Sequence, residues 1–248
     1  MGHFDYFDTN DYELNIDSKK GVMIIHGFSS TTFETRPLAE FLADKGFRVS
    51  ARNLPGHGTT VEDCNATKFH DWLDFVEINL AELSSDCDEL YVIGLSMGAV
   101  LSLYLAGLFP INKVITGATV LNFKDPFRVN YLVPLLNKII VKQSKISKKS
   151  KNNKRYSGYD HYPLIALNEF RKMNNYVKKR LKLVKCPLLY IHSNADGLSL
   201  PSNVDLVLNN ISSKNKDKLI VNNASHHLFY ESEDRGLIFD TIYEFLGN

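Results

Sequence analysis

Ser96 stands in Gly94-Leu95-Ser96-Met97-Gly98, a spacing suited to a nucleophilic serine. The pentapeptide follows the apolar run Leu90-Tyr91-Val92-Ile93, which reads as a buried strand. It leads into Ala99-Val100-Leu101-Ser102-Leu103-Tyr104-Leu105, which reads as a helix. A strand that turns sharply into a helix puts the serine at the apex, strained in its backbone, with its hydroxyl in the open and the helix N-terminus aimed at it. Gly94 and Gly98 are needed there because a side chain at either would collide with the neighbouring strand and helix.

A serine hydroxyl needs a base to take its proton and an acid to orient that base. After a turn of this kind the partners follow in the chain order Ser, Asp or Glu, then His. Asp196, in Ser193-Asn194-Ala195-Asp196-Gly197, comes after the strand expected to end at His192. His226, in Asn223-Ala224-Ser225-His226-His227, comes directly after the last expected strand. Loops at strand ends are where sheets of this type place their chemistry. At this point His227 remains open as an alternative base.

A tetrahedral intermediate also needs N–H donors aimed at its oxyanion. Met97, the residue after the nucleophile, is expected to supply one backbone N–H, and Phe28, after the His26-Gly27 strand end, the other. His26 reads as a brace for that loop and His57, in Pro55-Gly56-His57-Gly58, as a turn-stabilising residue. Ser29, Ser30, Thr31 and Thr32 line the same loop; Ser29 and Leu121 are the candidate substrate contacts. No metal site is expected, because His226 and His227 are adjacent and no third ligand is evident. The reaction outlined requires no metal or organic cofactor.

These residues need a frame. An edge strand is expected over Tyr12–Ile16, where apolar and polar residues alternate, and a doubly covered strand over Gly21–Gly27. A helix from about Thr35 to Lys45, a strand over Phe47–Ala51, a helix over Lys68–Ser84 and a strand over Lys113–Ala118 complete the first part. Alternation resumes with a strand at Pro187–His192, a helix after Pro201, a strand near Lys218–Val221 and a helix over Glu233–Phe245. Strands alternating with helices imply a mostly parallel sheet covered on both faces. At 248 residues and 44% hydrophobic content, one large α/β domain accounts for the chain.

Between Asn122 and Lys185 the alternation stops and the charge changes. That segment holds 17 Lys/Arg and 3 Asp/Glu, a net of +14, against a net of −13 in the remainder, within a total of +1. Segregation on this scale marks residues 122–185 as a separate, mainly helical unit inserted above the C-terminal edge of the sheet, in a core formed by 1–121 and 186–248. Lys142 to Arg155 reads as solvated. Three uses of the basic segment stay open: a plain charged surface, docking on anionic lipid headgroups, or contact with the acidic body of a second molecule. Nucleic acid is not an expected partner, since no nucleic-acid-binding motif accompanies the charge.

Cys64, Cys87 and Cys186 are scattered and odd in number, which fits a reducing cytoplasm. Met1 to Asp17 is acidic and aromatic and does not read as a signal peptide. No stretch approaches 18 continuous apolar residues. A cytoplasmic location is the expectation.

The residues match a known family pattern. His26-Gly27-Phe28 followed by Arg36-Pro37-Leu38-Ala39, then Leu54-Pro55-Gly56-His57-Gly58-Thr59, Asp71-Trp72 and Gly94-Leu95-Ser96-Met97-Gly98 resembles the bacterial carboxylesterase and monoacylglycerol lipase group of the α/β-hydrolases. The likeness runs from about Gly21 to Gly98 and returns from Pro187 onward. It implies an α/β-hydrolase fold, with a mostly parallel central sheet, helices on both faces and an inserted cap. It implies Ser96, Asp196 and His226 as a catalytic triad and Phe28 and Met97 as the oxyanion hole. It favours His226 over His227, since the family pattern continues with an acidic residue five positions on, where Glu231 stands. The function implied is hydrolysis of short- to medium-chain carboxylic esters, monoacylglycerols included. A thioesterase or acyltransferase using an anionic acyl donor is the alternative, and a non-catalytic hydrolase-fold binding protein a third reading. Oligomeric state is unknown from the sequence.

Overall fold

The computed structural model describes residues 7–145, 158–230 and 232–247. Seven strands form one sheet in the order β1-β3-β2-β4-β5-β8-β9. They are β1 (Tyr12–Leu14), β2 (Lys20–Ile25), β3 (Arg48–Ala51), β4 (Glu89–Leu95), β5 (Lys113–Gly117), β8 (Leu188–Ser193) and β9 (Lys216–Val221). All pairings are parallel except that of β1 with β3. The edge strand expected to reach Ile16 stops at Leu14, because Asn15 turns into the left-handed region at φ 53° and its carbonyl accepts from Ser18 N–H at 3.1 Å. The last strand begins two residues before its expected start. Lys216, Asp217 and Lys218 are the charges that an exposed edge strand tolerates and an alternation count discards.

The central strands are apolar at every position because both faces are covered. Successive side chains point to opposite faces. Val22, Ile24, Ile93 and Ile115 pack with α1 (Arg36–Asp44) and α8 (Arg235–Gly247). Met23, Ile25, Val92 and Val114 pack with α3 (Phe69–Asp86), α4 (Met97–Leu108) and α7 (Ser202–Asn210). A short helix, α2 (Val61–Ala66), sits between β3 and α3. Its Thr60 hydroxyl accepts from Asp63 N–H while the Asp63 carboxylate accepts from Thr60 N–H, a capping box that Thr60 and Asp63, three residues apart, encode.

Between β5 and β8 lie α5 (Val133–Leu136), preceded by a π-helical turn at Arg128–Leu132, and α6 (Leu164–Lys178). They are joined by an antiparallel ribbon of β6 (Lys142–Ser144) and β7 (His161–Pro163). Helices form the larger part of the segment, as expected, with this ribbon added. One expectation is corrected here: the lysine tract is not solvated at every position from Lys142 onward, since Gln143 and Lys145 turn inward at a two-residue period, while Lys142 and Ser144 face out. A run of lysines conceals that alternation because every position carries the same polarity. The tract from 146 to 155 lies outside the described residues. Phe170, Met173 and Val177 of α6 share the apolar cluster of α3 and α4, so this helix is packed into the body.

The tightest point of the fold is the β4–α4 turn. A Cβ on Gly98 would stand 2.1 Å from the Ile25 carbonyl oxygen of β2, and one on Gly94 would stand 2.2 Å from the Gly98 carbonyl oxygen. Both obstacles are backbone, so neither can step aside. Gly98→Ala is therefore expected to cost about 2–3 kcal/mol, the range for overpacking, and to lower the thermal midpoint by roughly 5–10 °C. Calorimetry of the two proteins checks this; an unchanged midpoint would mean that β2 and α4 separate freely.

Candidate active site

Ser96 occupies the apex between β4 and α4 at φ 57° and ψ −110°, a left-handed conformation rarely held by a non-glycine residue. Its N–H donates to the Gly117 carbonyl at 2.8 Å, tying the apex to the end of β5. Met97 opens α4, where helix geometry leaves N–H groups without intrahelical partners, and its side chain is fully buried.

The loop after β2 is fixed by buried polar groups. Leu54 N–H donates to His26 Nε2 at 3.0 Å, so the ring proton resides on Nδ1, which donates to the Gly27 carbonyl at 2.8 Å. Gly27 N–H in turn donates to Glu34 Oε1 at 2.5 Å. Phe28 follows, its ring set against those of His57, Trp72 and Phe170. His57 is buried in this cluster with Nδ1 3.2 Å from the Pro55 carbonyl, which also accepts from Trp72 Nε1 at 3.0 Å. His26 and His57 are thus braces of the two loops.

Asp196 and His226 meet across the loops after β8 and β9. His226 Nδ1 lies 2.8 Å from Asp196 Oδ2, and the Asp196 side chain has no exposed surface. Asp196 Oδ1 accepts from Leu198 N–H at 2.7 Å and Ser199 N–H at 2.9 Å. Burial pushes the Asp196 pKa up, but the His226 hydrogen bond and charge and these two N–H groups outweigh it and hold the carboxyl below its ordinary value. An ionised Asp196 can only accept, so the shared hydrogen bond has His226 Nδ1–H as its donor.

His227 has a different partner, Glu34 Oε2, at the longer distance of 3.4 Å. Glu34 is buried; burial pushes its pKa up, and the hydrogen bond and charge of His227 with the Gly27 N–H bring it below the ordinary value. Nothing in the sequence pattern marks Glu34 or this second acid–imidazole pair. Glu231, the residue behind the sequence preference for His226, lies outside the described residues.

Ser96, His226 and His227 line one cavity of about 680 Å³ together with Phe28, Ser29 and Glu34. Its further wall is apolar, built from Val120, Phe123, Leu164, Leu167 and Phe170. Of the two candidate substrate contacts, Ser29 faces this cavity and Leu121 does not. Leu121 is wholly buried in the core, its carbonyl accepting from Asn174 Nδ2 at 3.1 Å. Ser30, Thr31 and Thr32 are likewise buried away from the cavity, Thr32 through hydrogen bonds to the carbonyls of Thr9 and Asn10. Sequence reasoning missed Lys145, Arg128 and Tyr162, which also line it. Among the described residues no cluster of three or more His, Cys, Asp or Glu could hold a metal ion.

The sequence profile of the serine aminopeptidase S33 family matches residues 16–233. The chain belongs to this family. It is 32% identical over 244 residues to the thermostable monoacylglycerol lipase of Bacillus sp. (strain H-257), covering 92% of this chain and 90% of that one. It is 23% identical to the carboxylesterase of Bacillus subtilis (strain 168), covering 92% of each. Among solved structures, one from a study of the metagenome-derived lipolytic enzymes LipS and LipT superposes with a TM-score of 0.89 at 27% identity, covering 96% of this chain and 97% of that one. The fold is that of the α/β-hydrolases, with the mostly parallel sheet expected from the sequence.

Burial pushes the pKa of His57 down to about 3 from its ordinary 6.5, with the neighbouring His26 adding to the effect. Between those values the unfolded chain binds a proton that the folded chain refuses, so stability falls as pH drops through that window. His57→Leu is expected to flatten the acid limb by on the order of 1 kcal/mol per pH unit. Urea unfolding at pH 6.5, 5.5 and 4.5 measures this, and equal slopes for the two proteins would refute it.

Proposed function

We propose that the chain is a serine carboxylesterase of the monoacylglycerol lipase type. One observation carries this reading: a strained serine at a strand-to-helix apex and a histidine held by a buried carboxylate face the same largely apolar cavity. Ser96 Oγ attacks the ester carbonyl and its proton passes to His226 Nε2. Asp196 holds the ring in the required tautomer and stabilises the imidazolium. The oxyanion takes N–H donors from Phe28 and Met97. Collapse expels the alcohol, protonated by His226, and water activated by the same imidazole releases the acid from the acyl-enzyme. All groups in this scheme are the chain's own.

The apolar wall fits an acyl chain. Short- and medium-chain esters, monoacylglycerols among them, are the proposed substrates, in keeping with the names of the relatives. Residues 122–185 act as the cap that shapes this wall. Replacing Ser96 by Ala should lower kcat for p-nitrophenyl butyrate by on the order of 10⁶, and Asp196→Asn by about 10⁴. His226→Ala should approach the Ser96→Ala loss, while His227→Ala, on the longer bond to Glu34, should lose far less. Near-normal turnover by Ser96→Ala, or a reversed order of the two histidines, would overturn the assignment.

The cap also carries an exposed apolar face. Phe127, Tyr131, Leu135 and Ile139 project from it, Leu135 at 73% and Ile139 at 80% exposure, beside the exposed Lys138 and near Lys142, which is paired with Glu62 at 3.0 Å. This combination suits contact with an anionic lipid surface, where a Lys such as Lys138 can add about 1 kcal/mol. Among the described residues no helix is long and apolar enough to cross a membrane. Sedimentation with phosphatidylglycerol vesicles should show binding at low salt, weakened by 0.5 M NaCl and by the double substitution Leu135→Asp and Ile139→Asp. No binding at low salt would remove the proposal.

A further inference from the structure

The cap contributes three cations to the cavity: Lys124, whose Nζ donates to the Gly197 carbonyl at 2.9 Å, and Lys145 and Arg128, which stand beside one aromatic ring. Lys145, the residue after β6, sends its Nζ to Ser29 Oγ at 2.8 Å and lies 5.1 Å from the centroid of the Tyr162 ring. Its backbone is pinned by Lys145 N–H donating to the Asp160 carbonyl at 2.9 Å. Arg128 donates to the Gln143 side-chain oxygen. Its charge also reaches the Tyr162 hydroxyl, lowering the pKa against the larger upward push of burial. Lys145, Arg128, Gln143 and Tyr162 all line the cavity.

The cavity wall also holds two carboxylates, each with hydrogen bonds of its own, and the charge of Glu34 also reaches Lys145. Asp125 accepts from Arg128's own backbone N–H at 2.9 Å, and Glu34 holds Gly27 N–H and His227. Burial draws the Lys145 pKa down to about 8, with Glu34 and Asp160 pulling the other way, so the side chain is mostly ammonium at neutral pH. A cation facing a cavity that excludes much water attracts an anion far more strongly than it would in bulk solvent. A purely apolar ligand would strip water from the ammonium without replacing its hydrogen bonds.

We propose that Lys145 and Arg128, flanking Tyr162, form a subsite for an anionic group borne by the ester substrate within a few bonds of its carbonyl. The inference rests on the esterase reading above. The short tether follows from Ser29, which Lys145 contacts and which directly succeeds Phe28, the proposed oxyanion donor. The anion can sit on either side of the ester: a carboxylate on the acyl group or a phosphate on the alcohol. The phosphates of coenzyme A, a long chain away from the thioester, do not fit so close a placement.

Two matched pairs test it: ethyl hydrogen succinate against ethyl pentanoate, and 1-decanoylglycerol 3-phosphate against 1-decanoylglycerol. At least one pair should show kcat/KM more than tenfold higher for the anion, and the pair that responds identifies the side. Lys145→Met should reduce that ratio at least tenfold and Arg128→Gln several-fold, while Lys145→Arg should retain most of it. Lys179→Met removes the same charge from an exposed cap position outside the cavity and should leave the ratio unchanged. No anion preference in either pair, or an equal fall in Lys145→Met and Lys179→Met, overturns the subsite. Should Lys145→Met fail to fold, Arg128→Gln and competitive inhibition of neutral-ester cleavage by succinate or glycerol 3-phosphate give the same decision. Neutral-ester cleavage that survives Ser96→Ala would instead bring down the esterase reading, and the subsite with it. Ser96-dependent cleavage without anion preference removes the subsite alone.

Discussion

Backbone packed against backbone at Gly94 and Gly98 decides where everything else in this molecule stands. With no Cβ at either position, α4 closes onto β2 and β4, and the chain between them has room only for a tight apex. Ser96 takes up the strain at φ 57°, held by its N–H bond to Gly117. The same closeness brings the end of β2, and with it Gly27 and Phe28, against the serine: a Cβ on Gly27 would lie 3.2 Å from that of Ser96. The proposed nucleophile and oxyanion loop are therefore consequences of one packing contact. The cost of the strained residue is carried by the buried strands on either side.

Around that point, buried polar groups are paired in an order that fixes protonation as well as position. Leu54 N–H sets the tautomer of His26, and Gly27 N–H and His227 hold Glu34 ionised. Leu198 and Ser199 N–H groups, with His226, do the same for Asp196. Two imidazole–carboxylate pairs thus share one cavity. They are separated by distance, 2.8 Å against 3.4 Å, and by which loop supplies the carboxylate. In the proposed reaction, the pairing with Asp196 leaves the other His226 ring nitrogen to take the proton.

Legibility in the sequence followed the kind of pattern each element leaves. The doubly covered strands and the apex around Ser96 were readable because uninterrupted apolar runs and paired glycines have few other uses. Asp196 and His226 were singled out by their positions after strands, and the two are hydrogen-bonded in the fold. Leu121 was misplaced because its sequence neighbours say nothing about which way a loop residue turns; it turned into the core. Lys145 was hidden in a uniformly basic tract, and only its contact with Ser29 in the fold shows that its ammonium turns inward. Glu34 had no local signal, since its partners come from residues 27 and 227. The short helix α2 was legible in principle through its Thr60 and Asp63 capping box.

The central claim is that Ser96, activated by His226, is the reacting group. Intact-mass and peptide mapping after brief exposure to a fluorophosphonate probe addresses it directly. The account predicts a single adduct on Ser96, absent from Ser96→Ala, strongly slowed in His226→Ala and little changed in His227→Ala. Labelling at another residue, or undiminished labelling in His226→Ala, would contradict it.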